Sequence, residues 1–150
     1  MKIKLEISDR DYDEVSRFLL EKGIELDDEA EFILTQKSCY IDRLAVRDEK
    51  TGERALIPVQ EIIYAESFGH TVTAHTNERE WLTSDRLYQL CSVLDPEKFL
   101  RISVSTIIAV DKVKRIMPTL SRKFIITLSN GGTVEVTRSY YNIFKEFFGI

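Results

Sequence analysis

The chain has 150 residues, with 21 Lys or Arg against 25 Asp or Glu and a formal net charge of -4. That length fits one domain with or without a small appendage and buries a core without metals or disulfides; 43% hydrophobic and 31% charged residues read as soluble and globular, with six Gly and three Pro too sparse for a disordered tail or low-complexity linker. No apolar run approaches the ~18 residues of a membrane span and the start MKIKLEISDRD lacks a signal-peptide core, so the chain is expected in the cytoplasm. The charge is uneven. Residues 1–36 carry five basic and eleven acidic side chains, whereas residues 98–145 carry nine basic side chains against Asp111 and Glu135. A basic stretch of that kind suits a polyanionic partner.

Lys2 to Ile7 alternates polar and apolar residues, the period of a half-buried strand. Asp9 or Asp11 then caps a helix with Tyr12, Val15, Phe18 and Leu19 on one face, and Gly23 ends it. An acidic run from Ile24 to Glu31 precedes a strand at Phe32 to Thr35. Residues 1–37 are therefore expected to form a β-α-β appendage that pairs subunits or receives a partner. From Tyr40 short strands alternate with turn signals. Tyr40 to Arg47 and Ala55 to Ile57 flank a hairpin turn at Asp48 to Gly52, and Pro58 to Ile62 suits one helical turn before a strand from Ile63 to Ser67. Thr71 to His75 and Glu80 to Leu82 continue the meander.

One interior helix is expected over 85–94, capped by Thr83 or Ser84, with Leu87, Leu90, Cys91 and Leu94 on one stripe. Strands follow at Phe99 to Ile102, Val113 to Met117, Phe124 to Leu128 and Thr133 to Val136, the last two joined by Asn130-Gly131-Gly132. A terminal helix follows Thr137, with Tyr140, Ile143, Phe144 and Phe147 as its apolar stripe. The expected class is mainly β, α+β overall, with stacked antiparallel sheets over residues 38–150.

The strings Ile57-Pro58-Val59-Gln60-Glu61-Ile62-Ile63-Tyr64-Ala65-Glu66, Phe99-Leu100-Arg101-Ile102-Ser103-Val104-Ser105-Thr106-Ile107-Ile108, Leu128-Ser129-Asn130-Gly131 and Val136-Thr137-Arg138-Ser139-Tyr140, with Thr83 and Leu87 opening the interior helix, resemble the LytTR DNA-binding domain in content and order. The resemblance implies a bacterial, response-regulator-like transcriptional regulator that binds duplex DNA through loops at one edge of its sheets. It implies contacts from His70 in the turn after Gly69, from Ser103, Ser105 and Thr106 in the loop after Ile102, and from Arg138 at the last helix. Where the family commonly has His followed by Arg, Lys or Asn before the Ser, this chain has Ser103 and Val104; where it commonly has Asn, it has Ala109. Thirty-six residues do not hold a phospho-acceptor receiver, so the layout resembles a stand-alone regulator, a homodimer at least on DNA, controlled by a partner protein that includes membrane ones.

Arg122, Lys123 and Lys114 are further candidates for phosphate contact, weighed against a solvated turn and strand surface. Lys112 and Arg115 flank Lys114 at alternating strand positions, and Arg101 suits a salt bridge or packing as well as DNA. His70 and His75, five apart, do not form a metal pair, and His75 is expected on a strand surface; no metal, cofactor or small-molecule substrate is expected. Cys39 and Cys91 are expected as reduced packing thiols. Trp81, Phe144, Phe147 and Phe148 suit a core or interface. No phosphate loop, GxSxG elbow, HExxH or dinucleotide fingerprint points to an enzyme. The alternative is a LytTR-like protein-interaction module with weakened DNA binding, acting through another regulator.

Overall fold

A computed structural model of the chain describes residues 1–36 and 40–150; the expectation for Cys39 lies outside the described residues. The chain divides into two compact units, Met1–Cys39 and Tyr40–Ile150.

In the first unit, β1 (Lys2–Glu6), α1 (Asp9–Glu21), β2 (Glu25–Leu26) and β3 (Phe32–Thr35) give a parallel sheet of order β2-β1-β3. Ser8, not Asp9 or Asp11, holds the N-cap position of α1, and its hydroxyl donates to Asp11 at 3.0 Å. The side chain of Gln36 also reaches Asp11 (2.8 Å) and accepts from the Ser8 amide, which ties the end of β3 to the start of the helix. Ile3 and Leu19 are the buried side chains among the described residues of this unit, while Tyr12 and Phe18 of the expected helix face stay exposed. β2 is a two-residue strand inside the acidic run, too short to register as a periodic pattern.

The second unit is antiparallel throughout. β4 (Arg43–Arg47) and β5 (Arg54–Pro58) form the expected hairpin, closed where Asp48 accepts from the amides of Lys50 and Thr51 and where Gly52 takes φ +73°. Those two amide bonds hold the Asp48 carboxyl below its ordinary range. A 3-10 turn, Val59–Glu61, supplies the expected helical turn. β6 (Tyr64–Phe68), β7 (Thr71–His75) and β8 (Glu80–Thr83) continue the meander, and α2 (Leu87–Val93) is the interior helix, shorter at its start than expected and N-capped at Arg86. β9 (Phe99–Ser103) and β10 (Thr106–Ala109) complete a seven-stranded sheet of order β5-β4-β8-β7-β6-β10-β9. β11 (Val113–Pro118), β12 (Phe124–Leu128) and β13 (Thr133–Val136) form a second sheet, and a 3-10 turn at Arg138–Tyr140 leads into α3 (Tyr141–Phe148).

Two cores lie on opposite faces of the β6-β10-β9 end of the large sheet. Ile62, Ala65, Ile107 and Phe99 join Leu87, Leu90 and Leu94 of α2, together with Val46, Ile57 and Trp81. The next residues along, Ile63 and Ile108, together with Ile102 of β9, instead join Phe124, Ile126, Leu128 and Val136 of the second sheet and Phe144 of α3. β10 is thus buried on both faces, which removes the polar-apolar alternation by which strands are recognised in sequence; that is why it was not expected. The seam of α3 is Tyr141, Phe144 and Phe148, with Phe124 stacked on Tyr141 at 4.7 Å; Ile143 and Phe147 of the expected stripe turn outward.

His75 corrects an expectation. It is 8% exposed rather than on the strand surface, because its ring stacks on Tyr64 with centroids 4.0 Å apart. Its Nε2 lies 2.9 Å from Glu66 and its Nδ1 3.4 Å from Glu80. Cys91 packs against the first core, and burial pushes its thiol pKa up, which favours the neutral packing form. No helix among the described residues is long and apolar enough to cross a membrane.

Candidate nucleic-acid interface

Two loops and one helix start are joined by main-chain bonds at one edge of the second unit, and the Arg138 side chain ties in a third loop. β6 and β7 meet in a two-residue turn, Gly69-His70, in which Gly69 takes φ +62°, a conformation that a Cβ would strain. The turn is coupled to the β9-β10 loop because the Ser67 amide donates to the Ser105 carbonyl at 2.8 Å. The Thr137 amide donates to the Ile102 carbonyl at 3.1 Å, which brings the entry to α3 against the end of β9. Arg138 Nε then donates to the Ser121 carbonyl in the β11-β12 loop at 3.1 Å. The residues between 67 and 138 that carry this edge are therefore held in one place by register and backbone pairing.

The β9-β10 loop is braced from inside. Ser103 is 5% exposed; its Oγ accepts from the Ser105 amide at 3.2 Å and lies 3.3 Å from the Ser105 Oγ. Thr106 is also buried, Ser105 is half-buried, and the residue at the tip is Val104, 73% exposed. Arg101 clamps the loop: its Nε donates to the Ser103 carbonyl at 3.0 Å and a terminal nitrogen donates to the Val104 carbonyl at 2.6 Å. Of the two roles open to Arg101 in the sequence, the bracing one is therefore occupied by these bonds.

His70 and Arg138 are exposed on this edge, and a shallow groove bounded by Ser67, His70, Arg86 and Arg101 runs beside the turn. Arg86, at the N-cap of α2, is a basic group at the edge that residue spacing did not single out. In the β11-β12 loop Arg122 adopts φ +59°, the left-handed region that favours glycine, and its guanidinium lies 3.4 Å from Asn142 and 5.4 Å from the Tyr141 ring centre. Lys123 pairs with Glu135 at 2.9 Å, so its charge is partly answered within the protein. Lys114 is exposed but lies near the opposite end of β11 from the loop, beside a register shift between Val113 and Arg115. That shift also explains why Lys114 and Arg115 are both exposed despite adjacent strand positions.

The apolar tips were not among the expected contact residues. Phe68 is 89% exposed immediately before the Gly69-His70 turn, and Leu120 is fully exposed next to Ser121, so each of the three loops offers a large apolar residue beside its polar ones. A bulky apolar residue directly before a tight glycine turn was the available signal for Phe68. Chemically the edge combines forked or exposed donors, unanswered positive charge and apolar tips, with no group of nucleophile and base drawn together there.

The LytTr DNA-binding domain family matches residues 52–149, which covers all three loops and both second-unit helices. The chain belongs to that family. It is 26% identical over 124 residues to the transcriptional regulatory protein LytR of Staphylococcus aureus strain bovine RF122 / ET3-1, an alignment covering 83% of this chain and 50% of that protein. It is 27% identical over 95 residues to LytR of strain N315, covering 63% of this chain and 39% of that protein. The chain thus spans half or less of the length of these curated relatives. Among solved structures, the LytTr DNA-binding domain of a Bacillus cereus protein described as a methyl-accepting/DNA response regulator superposes with a TM-score of 0.69 at 21% identity, covering 73% of this chain and 99% of that one. The fold is accordingly that of the LytTr domain, a DNA-binding regulator class and not an enzyme class.

Proposed function

We propose that the chain is a bacterial transcriptional regulator that binds duplex DNA in a sequence-dependent way through the loop edge of its second unit. The observation that carries the reading is the main-chain joining of Ser67 to Ser105 and of Thr137 to Ile102, with Arg138 bonded to Ser121, which puts three loops and a helix start on one face. Among the described residues Arg138 bonds to the protein through Nε alone, and its remaining guanidinium nitrogens suit a guanine edge or a phosphate. His70 and Ser105 supply shorter polar contacts, Arg122 and Lys123 positive charge, and Val104 the kind of apolar contact that a thymine methyl takes. In this reading Ser103 and Thr106 act from beneath, by fixing the loop, and Lys114 serves at most a distant phosphate.

A second reading has a specific observation in its favour. Phe68, Val104 and Leu120 are exposed apolar tips on an edge where donors would be expected, and such patches also mark protein docking. The two readings separate in one experiment: selection from a randomised duplex pool, followed by titration of the recovered sequence at several salt concentrations. A recovered motif whose affinity falls steeply with salt and is weakened in Arg138→Ala upholds DNA reading. Weak, sequence-blind binding that Arg138→Ala leaves unchanged overturns it in favour of a protein partner.

A further inference from the structure

The second inference concerns the acidic unit and stands whether or not the loop edge reads DNA. β3 is an edge strand of the parallel sheet β2-β1-β3, so among the described residues one row of its main-chain donors and acceptors has no strand beside it. Such an edge is a template for another strand. The opposite edge is protected in the ways edges usually are: β2 has two residues and one of them is Glu25. β3 has no such protection, since its four residues are Phe32, Ile33, Leu34 and Thr35, and the three apolar ones are 62%, 54% and 41% exposed. Its partner strand sets the faces: Phe32 is opposite Ile3 and Leu34 opposite Leu5, on the side of the buried Ile3, while Ile33 is opposite Lys4 on the other side.

We infer that β3 pairs antiparallel with β3 of a second copy of this chain, about a two-fold axis normal to the sheet at Ile33. The symmetry constrains the register. A two-fold normal to the sheet places side chains of the same face opposite one another, so Ile33 meets the partner copy's Ile33 and Phe32 meets the partner copy's Leu34, twice. The flanking Glu31 meets the partner copy's Thr35. No two like charges face each other anywhere along the strand, and every position on the inward face is apolar against apolar. The result is a continuous six-stranded sheet with both α1 helices on one face. This pattern of an uncharged strand that complements itself is what selects a second copy over a foreign segment. Because eleven acids against five basic groups surround it, a foreign partner would instead be expected to be basic.

That charge gives the test its discriminating arm. Two acidic units that associate through an apolar strand repel over longer range, so added salt screens the repulsion and strengthens the pairing, whereas salt weakens any acidic-basic contact and any contact with DNA. Sedimentation equilibrium of the full chain without DNA is expected to show a concentration-dependent dimer that tightens between about 0.05 and 0.5 M salt. Ile33→Lys puts two ammonium groups opposite each other on the axis and is expected to weaken the dimer about tenfold or more, with far-UV circular dichroism unchanged because Ile33 lies on the face away from Ile3. In a Cys39→Ser, Cys91→Ser background, Ile33→Cys is expected to oxidise to a disulfide-linked dimer. Phe32→Cys and Leu34→Cys chains are expected to cross-link with each other faster than either does with itself. A chain that stays monomeric at every concentration, a dimer indifferent to Ile33→Lys, or an Ile33→Cys chain that cross-links no faster than Glu14→Cys on α1 would each overturn the pairing. None of these outcomes bears on the DNA reading, which the pool selection decides by itself.

Discussion

Replacing Arg101 by Met tests whether the β9-β10 loop is held by its own clamp. The substitution keeps most of the aliphatic stem but removes the bonds to the carbonyls of Ser103 (3.0 Å) and Val104 (2.6 Å). Hydrogen bonds from a charged donor contribute about 1.5 to 3 kcal/mol each when shielded. The Ser103 bond is part-buried and counts near that range, while the Val104 bond is exposed and contributes less, so the expected loss is about 2 to 3 kcal/mol of unfolding free energy for the second unit. Urea unfolding followed by the fluorescence of Trp81, the single tryptophan and a core residue of that unit, measures it. A loosened loop must be reordered on binding, so affinity for the selected duplex is expected to fall about tenfold with the slope of log affinity against log salt unchanged. If Arg101 were a phosphate contact instead, the unfolding midpoint would stay put and the slope would become shallower by about one. That pair of results would refute the clamp.

Arg138→Ala is expected to cost about 1 to 3 kcal/mol in specific binding and to relax preference at one base position, read from a repeat pool selection. Lys123→Ala is expected to weaken all sequences alike but to lower the salt slope by less than one, because Glu135 already answers its charge; Glu135→Gln should raise affinity, and a fall on titration would contradict the pairing. Val104→Arg, at the exposed tip, is expected to tighten binding several-fold, whereas Ser103→His, at a 5% exposed site, should cost stability by about 1 to 3 kcal/mol through overpacking, as thermal unfolding would show. Burial holds the Cys91 thiol above its usual 9.0, and burial followed by Glu66 and Glu80 holds the Tyr64 phenol above its usual 10.0. Both groups ionise more readily in the unfolded chain, so stability is full below about pH 9 and is lost as pH rises through the folded values. Tyr64→Phe should flatten that loss above pH 10; an unaltered alkaline limb would count against a role for the phenol.

Much of the second unit is written locally in the sequence. The β4-β5 hairpin is announced by Asp48 and Gly52, β12 and β13 by Asn130-Gly131, and their bounds, Phe124–Leu128 and Thr133–Val136, coincide with the expected ones. What is not local is not visible. β10 has no alternation because Ile107 and Ile108 enter different cores, and His75 is buried by a cross-strand ring, Tyr64, that no spacing identifies. The same limit applies at the edge. A run Ser103-Val104-Ser105 offers three candidate tips, and only the fold decides that Ser103 turns in and Val104 turns out. Phe68 and Leu120 carry no polar chemistry by which a contact residue is recognised in sequence, although both stand almost wholly exposed in their loops.

Two of the loops and the helix start at the edge are sewn together through the amides of Ser67 and Thr137 and the carbonyls of Ser105 and Ile102, and neither of these bonds uses a side chain. A scaffold of that kind separates the frame from the lettering. Replacements at 68, 70, 104 or 120 leave every one of those stitches intact, so under the proposed DNA reading a duplicated copy would acquire a new preference by point changes at the tips without first risking its fold. Ser103, Arg101 and Arg138 mark the boundary of that freedom, since their side chains are themselves part of the frame.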